Sequence, residues 1–348
     1  MDAQLWHAQA TSPPPALPAP LPPAQLAASS PEARTAYADS VRIALRGRPV
    51  PSPVHERVSA DLTFALESAM LAPAGARTVI AVSAPFTAGK STLVKAWAQS
   101  LHRHWLGDVA SDSCPRWAPE PGLMADWVPV VYLSLQSESR SRDLYAQILG
   151  FIGNIKAAES TETRMALQTT KSFGLHQIRL LIIDDAHMLR TSSITGRATL
   201  NAVKHLNTTL GEHGGVLVLV GAHISGGEAL SDPQIRGRLS EHTVAPYAID
   251  TPAGRRDWQR LLRGLEEMLS PYLPGEPPGY LARHHAAYLW SRTQGFVGDT
   301  ATVVIDAATA ALATGEPLGR AHFDAVRLSG RAQDQTARAE AMATASGQ

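Results

Sequence analysis

The chain has 348 residues, 44% of them hydrophobic, and it carries 31 basic and 31 acidic side chains. This balance excludes a global positive field for nucleic acid, so any such contact must come from a local patch. The single cysteine, Cys114, excludes an intramolecular disulfide and a zinc site built from several cysteines. We find no apolar run of about 18 residues and no signal-peptide pattern, and we therefore expect a cytoplasmic protein without a membrane partner.

The first 40 residues are rich in proline and alanine and carry almost no charge before Glu32. Such a segment buries too little apolar surface to offset the entropy of ordering, so the sequence predicts a disordered arm over residues 1–40. A plain tail and a partner-binding arm are the alternatives for its role. The basic, proline-punctuated stretch 42–53 predicts a linker.

Strand-like and helix-like patterns alternate over the middle of the chain. Apolar residues at helical spacing from Val54 to Ala69 predict an amphipathic helix. Apolar runs predict five strands, over residues 79–82, 127–135, 178–185, 215–221 and 242–249. The Pro/Gly-rich insertion 107–126 predicts a surface loop. Strands that alternate with helices indicate an α/β fold with a parallel sheet.

The turn after the first strand carries the strongest chemical signal. It reads APFTAGKST, in which two small residues bracket the turn and Gly-Lys-Ser-Thr opens a helix. A tight turn that leads into a helix N-terminus aims several backbone N–H groups at one phosphate. The pattern predicts an ATP site in which Lys90 reaches the β- and γ-phosphates and Ser91 holds Mg²⁺. The residues expected to bind the nucleotide are Ala84, Pro85, Phe86, Thr87, Ala88, Gly89, Lys90, Ser91 and Thr92.

The predicted nucleotide site departs from the usual pattern at one residue, and an alternative interpretation stays open. Ala84 stands where the P-loop pattern usually has glycine. The alternative is a glycine-bearing turn between strand and helix that has an unrelated lysine. The preceding helix over residues 55–70 either covers the nucleotide base or only packs on the sheet edge.

Two carboxylates end the third predicted strand, which reads IRLLIIDD. An acid at the carboxyl end of a strand beside the P-loop strand is placed to hold Mg²⁺, and we assign this role to Asp184. The next acid can orient and deprotonate the attacking water, and we assign this role to Asp185. The alternative is a pair of carboxylates at a strand exit with no metal.

Three further polar residues are candidates for the site. His223 leaves the fourth strand and is the nearest candidate to sense the γ-phosphate, although a lone histidine there is also typical of a surface position. Arg236 and Arg238 precede the fifth strand and are placed to point into a neighbouring subunit, where an arginine would stabilise transition-state charge. Arg238 is the first choice and Arg236 the second, and ordinary surface ion pairing is the alternative.

The C-terminal part predicts a helical lid over residues 251–328 and a flexible tail over 329–348, after a nucleotide-binding domain over 41–250. The lid helices are expected over 253–269, 280–292 and 299–314. The first has an inward apolar face and an outward arginine face that either contacts phosphates or is only solvated. The last has no basic residue to sense the nucleotide, and Arg292 is a possible substitute.

A P-loop with GKST, a strand ending LIIDDAH, a strand ending LVG and the arginine-bearing turn DPQIRGRL together resemble the AAA+ ATPases. The sequence segments LLIIDDAHML, GRATLNAVKHLN and VLVLVGAH are most similar to the transposition ATP-binding proteins called TniB, relatives of the TnsC regulator. The resemblance covers roughly residues 40 to 325. It implies the sheet order five-one-four-three-two, a homo-oligomeric ring or filament assembled on ATP, double-stranded DNA threaded along it, and a transposase partner.

The sequence therefore predicts an ATPase of the AAA+ type that regulates DNA transposition. The family's second acid is usually Glu, whereas Asp185 is one methylene shorter, so slow hydrolysis is expected. One alternative is an AAA+ adaptor outside transposition, such as a helicase loader, a secretion-associated ATPase or a signalling switch. The other is a P-loop phosphotransferase acting on a small molecule.

Overall fold

The computed structural model describes residues 1–85, 88–136, 139–188, 194–222, 224, 236–273, 275–328 and 330. The chain divides into two compact units. The first contains Met1–Ser12, Arg57–Phe86 and Lys90–Val244, and the second contains Pro13–Glu56, Thr87–Gly89 and Ala245–Gln348. Within the described ranges, no helix has both the length and the apolar character needed to cross a membrane.

The first unit is built around a five-stranded parallel sheet, as the alternating pattern predicts. The strands of the chain are β1 (Val79–Ala84), β2 (Arg116–Glu120), β3 (Leu123–Asp126), β4 (Val130–Ser134), β5 (Leu180–Asp184), β6 (Val216–Ala222) and β7 (Leu239–Thr243). The sheet order is β4-β5-β6-β1-β7, which reads 2-3-4-1-5 when only these five strands are counted along the chain. Every residue of β1, β5 and β6 is buried, which explains their continuous apolar runs.

Helices precede, separate and follow the strands along the chain. Their buried apolar residues have the predicted helical spacing. The described helices are α1 (Ala3–Thr11), α2 (Pro23–Ala28), α3 (Pro31–Arg46), α4 (Pro53–Met70), α5 (Lys90–Leu106), α6 (Ser141–Phe151), α7 (Glu162–Leu175), α8 (Ile194–Glu212), α9 (Pro252–Leu269), α10 (Ala286–Thr293), α11 (Val297–Thr314) and α12 (Arg320–Ala325). In α8, for example, Val203, Leu206 and Leu210 are buried, as their i, i+3, i+7 spacing indicates.

Two predictions in the first unit are wrong, the loop over residues 107–126 and the end of the fifth strand. The insertion 107–126 is not only a loop, because β2 and β3 form an antiparallel hairpin in which Trp117 pairs with Ala125. Proline and glycine concealed the weak alternation of these short strands. The fifth strand ends at Thr243 rather than at Ile249. Pro246 lies in the predicted run, and proline lacks the N–H that a strand ladder needs.

The predicted disordered arm is also wrong at its start, where residues 3–11 form α1 in the first unit. Asp2 caps this helix by accepting a hydrogen bond from the Leu5 N–H at 2.8 Å. Trp6 is completely buried, and Arg103 of α5 donates a hydrogen bond to the Ala10 carbonyl at 2.5 Å. The buried ring, the cap and the hydrogen bond from α5 are specific contacts that oppose the entropy of ordering, and the average composition of the segment does not reveal them.

The remainder of that arm belongs to the second unit, so the predicted boundary at residue 41 is wrong as well. Helix α3 packs against α11 and buries Val41 and Leu45. Arg46 pairs with Asp306 at 2.5 Å, and Ser30 caps α3 through the Ala33 N–H. The predicted linker over 42–53 is therefore partly helical.

The second unit holds the helices that were predicted as a lid. Helix α9 buries Trp258, Leu261, Leu262 and Leu265, as its spacing predicts. The predicted helix 280–292 is a π-helical turn, Tyr280–His284, followed by α10. Arg292 donates hydrogen bonds to the Asp324 and Val326 carbonyls and pairs with the Asp324 carboxylate, so its guanidinium is committed to the end of α12.

The docking of α1 on α5 is expected to depend on pH through a pair of histidines. His7 Nε2 lies 2.7 Å from the Asp112 carbonyl and must donate to it, so His7 Nδ1 accepts from His102 Nε2 at 3.0 Å. Burial, with smaller contributions from His7 and Arg103, lowers the pKa of His102 from 6.5 to about 4. A lowered histidine pKa means that the unfolded chain binds the proton more readily than the folded chain. The contribution of neutral His102 to the free energy of unfolding is therefore fully present above pH 6.5.

We expect the free energy of unfolding to fall between pH 6.5 and about 4, by up to about 3 kcal/mol from this group. Urea titrations of the full chain at a series of pH values measure it. The variant His102→Gln keeps an N–H donor and cannot titrate, so its unfolding free energy should change less over this range. Equal slopes in the two proteins would contradict the assignment.

Candidate functional site

The turn between β1 and α5 contains a glycine in a left-handed conformation, next to the predicted lysine. Strand β1 ends at Ala84 and α5 begins at Lys90, whose side chain is buried. Gly89 has φ +81°, a left-handed conformation that side chains disfavour. Ala84 and Ala88 are buried, Ser91 is half-buried and Thr92 is exposed. Phe86 and Thr87 of the predicted set lie outside the described residues.

His55 is a neighbour of this turn that the sequence analysis did not identify. Its ring carbon Cε1 would lie 3.3 Å from a Cβ placed on Gly89. Burial lowers the pKa of His55, and a hydrogen bond with the Ala88 backbone opposes the change. No local pattern marks a single histidine in an amphipathic helix as a contact of a turn more than thirty residues away.

Asp184, the predicted magnesium residue, is the last residue of β5 and is only 3% exposed. Its Oδ1 accepts the backbone N–H of Asp185 at 2.8 Å, and its Oδ2 accepts the hydroxyl of Tyr132. Tyr132 lies in β4, the neighbouring strand, which pairs with β5 in register. Burial and then the Asp184 carboxylate raise the pKa of Tyr132, so its hydroxyl keeps its proton and donates.

Ser91 also acts on the same tyrosine. The Ser91 side chain opposes the rise of the Tyr132 pKa, which burial and Asp184 cause. The two residues predicted to hold Mg²⁺ thus both act on one tyrosine. A tyrosine within an apolar strand gives no sequence signal of these contacts.

Asp185, the predicted base, has an unusual backbone and a defined partner. Its φ of +58° is left-handed, a conformation that aspartate tolerates better than most residues. Ser134, at the carboxyl end of β4, donates its hydroxyl to Asp185 Oδ2 at 2.7 Å. The first unit therefore brings Lys90, Ser91, Asp184 and Asp185 to the carboxyl edge of one sheet, which is where parallel α/β sheets bind ligands.

These residues fit a bound magnesium ion. Among the described residues, no cluster of three or more His, Cys, Asp or Glu side chains is placed to enclose a metal. Magnesium in a nucleotide site needs only one or two protein oxygens beside phosphate and water. The Ser91 hydroxyl and the Asp184 carboxylate are oxygen ligands of this kind.

The two candidate arginines lie at the opposite edge of the sheet. The Val79 N–H donates to the Arg238 carbonyl at 2.8 Å, so Arg238 lies beside the start of β1. The P-loop leaves the other end of this six-residue strand, a separation of about 20 Å that an arginine side chain does not span. Arg236 and Arg238 are exposed. His223 lies outside the described residues.

A parallel sheet with a glycine–lysine turn after β1 and an acidic pair that begins at the last residue of β5 is the arrangement of the P-loop α/β proteins. The model of the family described as bacterial TniB protein matches residues 58–249. The match covers more than half of the chain, which therefore belongs to the TniB family.

No curated protein matches the chain. Among solved structures, a Walker-type ATPase of Pyrococcus abyssi has a TM-score of 0.44 at 14% identity, covering 86% of this chain and 77% of that one. AMPPCP-bound DnaA from Aquifex aeolicus has a TM-score of 0.40 at 14% identity, covering 72% of this chain and 60% of that one.

The left-handed glycine of the turn gives a testable consequence. Alanine at Gly89 should be strained by about 1–2 kcal/mol, and the turn that must present N–H groups to phosphate should distort. We expect Gly89→Ala to weaken ATP binding by about tenfold or more in a titration with a fluorescent ATP analogue. Gly153 has a similar φ of +88° with open space around it, so Gly153→Ala is the matched control. Equal ATP affinity in the two variants would contradict the role of the turn.

Proposed function

We propose that the chain is an ATP-binding and ATP-hydrolysing AAA+ regulator of DNA transposition, which assembles on target DNA and recruits or activates a transposase. The observation that carries the nucleotide site is the turn with a left-handed glycine, Gly89, that leads into α5 at Lys90, at the same edge of the sheet as the Tyr132–Asp184 hydrogen bond. Membership of the TniB family supports the transposition role.

Each residue of the site has a chemical role in this proposal. Lys90, the first residue of α5, neutralises charge on the β- and γ-phosphates together with the helix N-terminus. Ser91 and Asp184 hold Mg²⁺, which when bound supplies positive charge to the transferred phosphoryl group. Asp185 orients and deprotonates water. Ser134 already engages one oxygen of Asp185, and aspartate is shorter than the family's glutamate, so slow hydrolysis follows.

A second copy of the chain completes the site in this proposal. Arg238 lies at the edge where the strands begin and is separated from the P-loop of its own chain by the length of β1. An arginine at this position reaches a γ-phosphate only in a neighbouring subunit, as in ATPases that act as rings or filaments. Nucleotide binding and assembly are coupled for this reason.

Duplex DNA is the proposed template of the assembly. Helix α9 exposes Arg256, Arg260 and Arg263 along its length, and these charges supply local phosphate contacts that the neutral composition of the chain does not. Arg255 is also exposed but donates to the Ile249 and Asp250 carbonyls. The transposase is the partner that the family membership supports.

Sedimentation of the full chain with and without duplex DNA tests the proposal. We expect large assemblies with ATP and Mg²⁺, but not with ADP, and none with Lys90→Ala. Lys171→Ala removes an exposed lysine of α7 and is the matched control, which should assemble like the natural chain. A nucleotide-binding monomer indifferent to DNA would reject the transposition role and leave an AAA+ adaptor. Transfer of phosphate from ATP to an acceptor other than water would favour a phosphotransferase.

Mixing of variants tests the arginine. Arg238→Ala should lower phosphate release by on the order of 10³-fold while ATP binding persists. Asp185→Asn is inactive for a different reason, because it lacks the proposed base but keeps the P-loop. A mixture of the two variants should recover part of the rate, because intact sites then face intact arginines. Arg236→Ala is the comparator and should retain most activity. Absence of recovery in mixtures that still assemble would contradict action between subunits.

A further inference from the structure

Tyr132 is held on its ring by two side chains from other elements of the first unit. The Trp6 ring stacks on it with a centroid separation of 5.4 Å and an interplanar angle of 14°. The Lys95 ammonium lies 5.1 Å from the ring centroid, within cation–π range. Trp6 is completely buried and Tyr132 is 4% exposed. Packing therefore fixes the position of the tyrosine ring, and with it the position of the hydroxyl.

The hydroxyl end of Tyr132 contacts Asp184, one of the two expected magnesium ligands. It donates to Asp184 Oδ2. The Asp184 carboxylate is held at both oxygens, by Tyr132 and by its neighbour's N–H. This arrangement orients the carboxylate before an ion arrives. The side chain of Ser91, the other expected ligand, opposes the rise of the Tyr132 pKa.

Helix α1 connects this tyrosine to the helix that carries the P-loop lysine. Besides the stacking of Trp6, His7 hydrogen-bonds to His102 of α5, and Arg103 of α5 binds the Ala10 carbonyl. The indole Nε1 of Trp6 has no hydrogen-bond partner among the described residues, so packing alone sets the position of this ring. The stacked partner of Trp6 is Tyr132, and its neighbour at 6.4 Å is His102.

We propose that Tyr132 is a positioning residue of the magnesium site and that Trp6 of the amino-terminal helix holds it in place. The inference rests on the proposed nucleotide function and deepens it. Residues 1–12 then form a functional part of the ATPase unit, because the affinity for the metal depends on the docking of α1. Outer partners that orient metal ligands typically change metal affinity 10- to 100-fold when they are removed.

The first experiment removes only the Tyr132 hydroxyl. ATP affinity is measured with excess EDTA and across a magnesium titration, for the natural chain and for Tyr132→Phe. We expect the magnesium concentration that gives half of the tightening to rise 10- to 100-fold in the variant, with little change of affinity in EDTA. Tyr145 of α6 is also buried and belongs to the same unit, so Tyr145→Phe is the matched control and should leave the magnesium midpoint unchanged.

The second experiment tests the support from α1. Trp6→Ala should shift the magnesium midpoint in the same direction, whereas Trp6→Phe keeps an aromatic surface and should retain most of the natural value. In a Tyr132→Phe background, Trp6→Ala should add little further shift, because the hydroxyl that it positions is already absent. Circular dichroism and thermal melting identify a variant that has lost its fold. If Trp6→Ala does not fold, Trp6→Leu, which removes the stacking ring but keeps an apolar side chain, should give the shift, and an unchanged midpoint in Trp6→Leu would overturn the role of Trp6.

The outcomes separate this inference from the proposed function. If the natural chain binds no ATP in either condition, the nucleotide function fails and the inference fails with it. If the natural chain binds ATP with a magnesium dependence that Tyr132→Phe leaves unchanged, the nucleotide function stands and the positioning role of Tyr132 is overturned. Additive shifts of Trp6→Ala and Tyr132→Phe would overturn the role of Trp6.

Discussion

The site depends on one buried carboxylate. Asp184 ends a strand that is buried on both faces, and a carboxylate in such surroundings is stable only when hydrogen bonds or cations compensate for its lost hydration. Two hydrogen bonds to the Asp184 carboxylate provide this compensation, one from the Asp185 N–H and one from the Tyr132 hydroxyl. The residue that supplies the N–H, Asp185, has a left-handed backbone. The bond from the hydroxyl requires that the tyrosine is fixed in the neighbouring strand.

The parallel sheet explains why these groups meet. All five strands run in one direction, so β1, β4 and β5 end at the same edge, where Ser91, Ser134 and Asp184 come together. The same rule places Arg238 at the far edge, beside the start of β1. In the proposed function, the phosphates lie at one edge of the sheet and the arginine at the other, so a second copy of the chain supplies the arginine.

The sequence predicted the strands of the sheet, the turn between β1 and α5 and the position of the acidic pair, because each gives a local signal. A strand, a turn and a helix start lie within about fifteen residues, and apolar runs of strand length are visible directly. The contacts of Tyr132 and His55 could not be predicted, because each joins residues that are far apart in the chain. The prediction that residues 1–46 form a disordered arm and the start of a linker was wrong for a related reason. Composition describes what a segment buries on average, whereas Trp6, Val41 and Leu45 each find a specific site on another helix or strand.

A crystal structure of the full chain with Mg²⁺ and a non-hydrolysable ATP analogue tests the central claim most directly. The account predicts the phosphates against the turn at Gly89 and Lys90, a magnesium ion at the Ser91 hydroxyl beside Asp184, and a Tyr132 hydroxyl that still contacts Asp184. A nucleotide bound elsewhere, or a metal ion that does not involve Ser91 and Asp184, would contradict it.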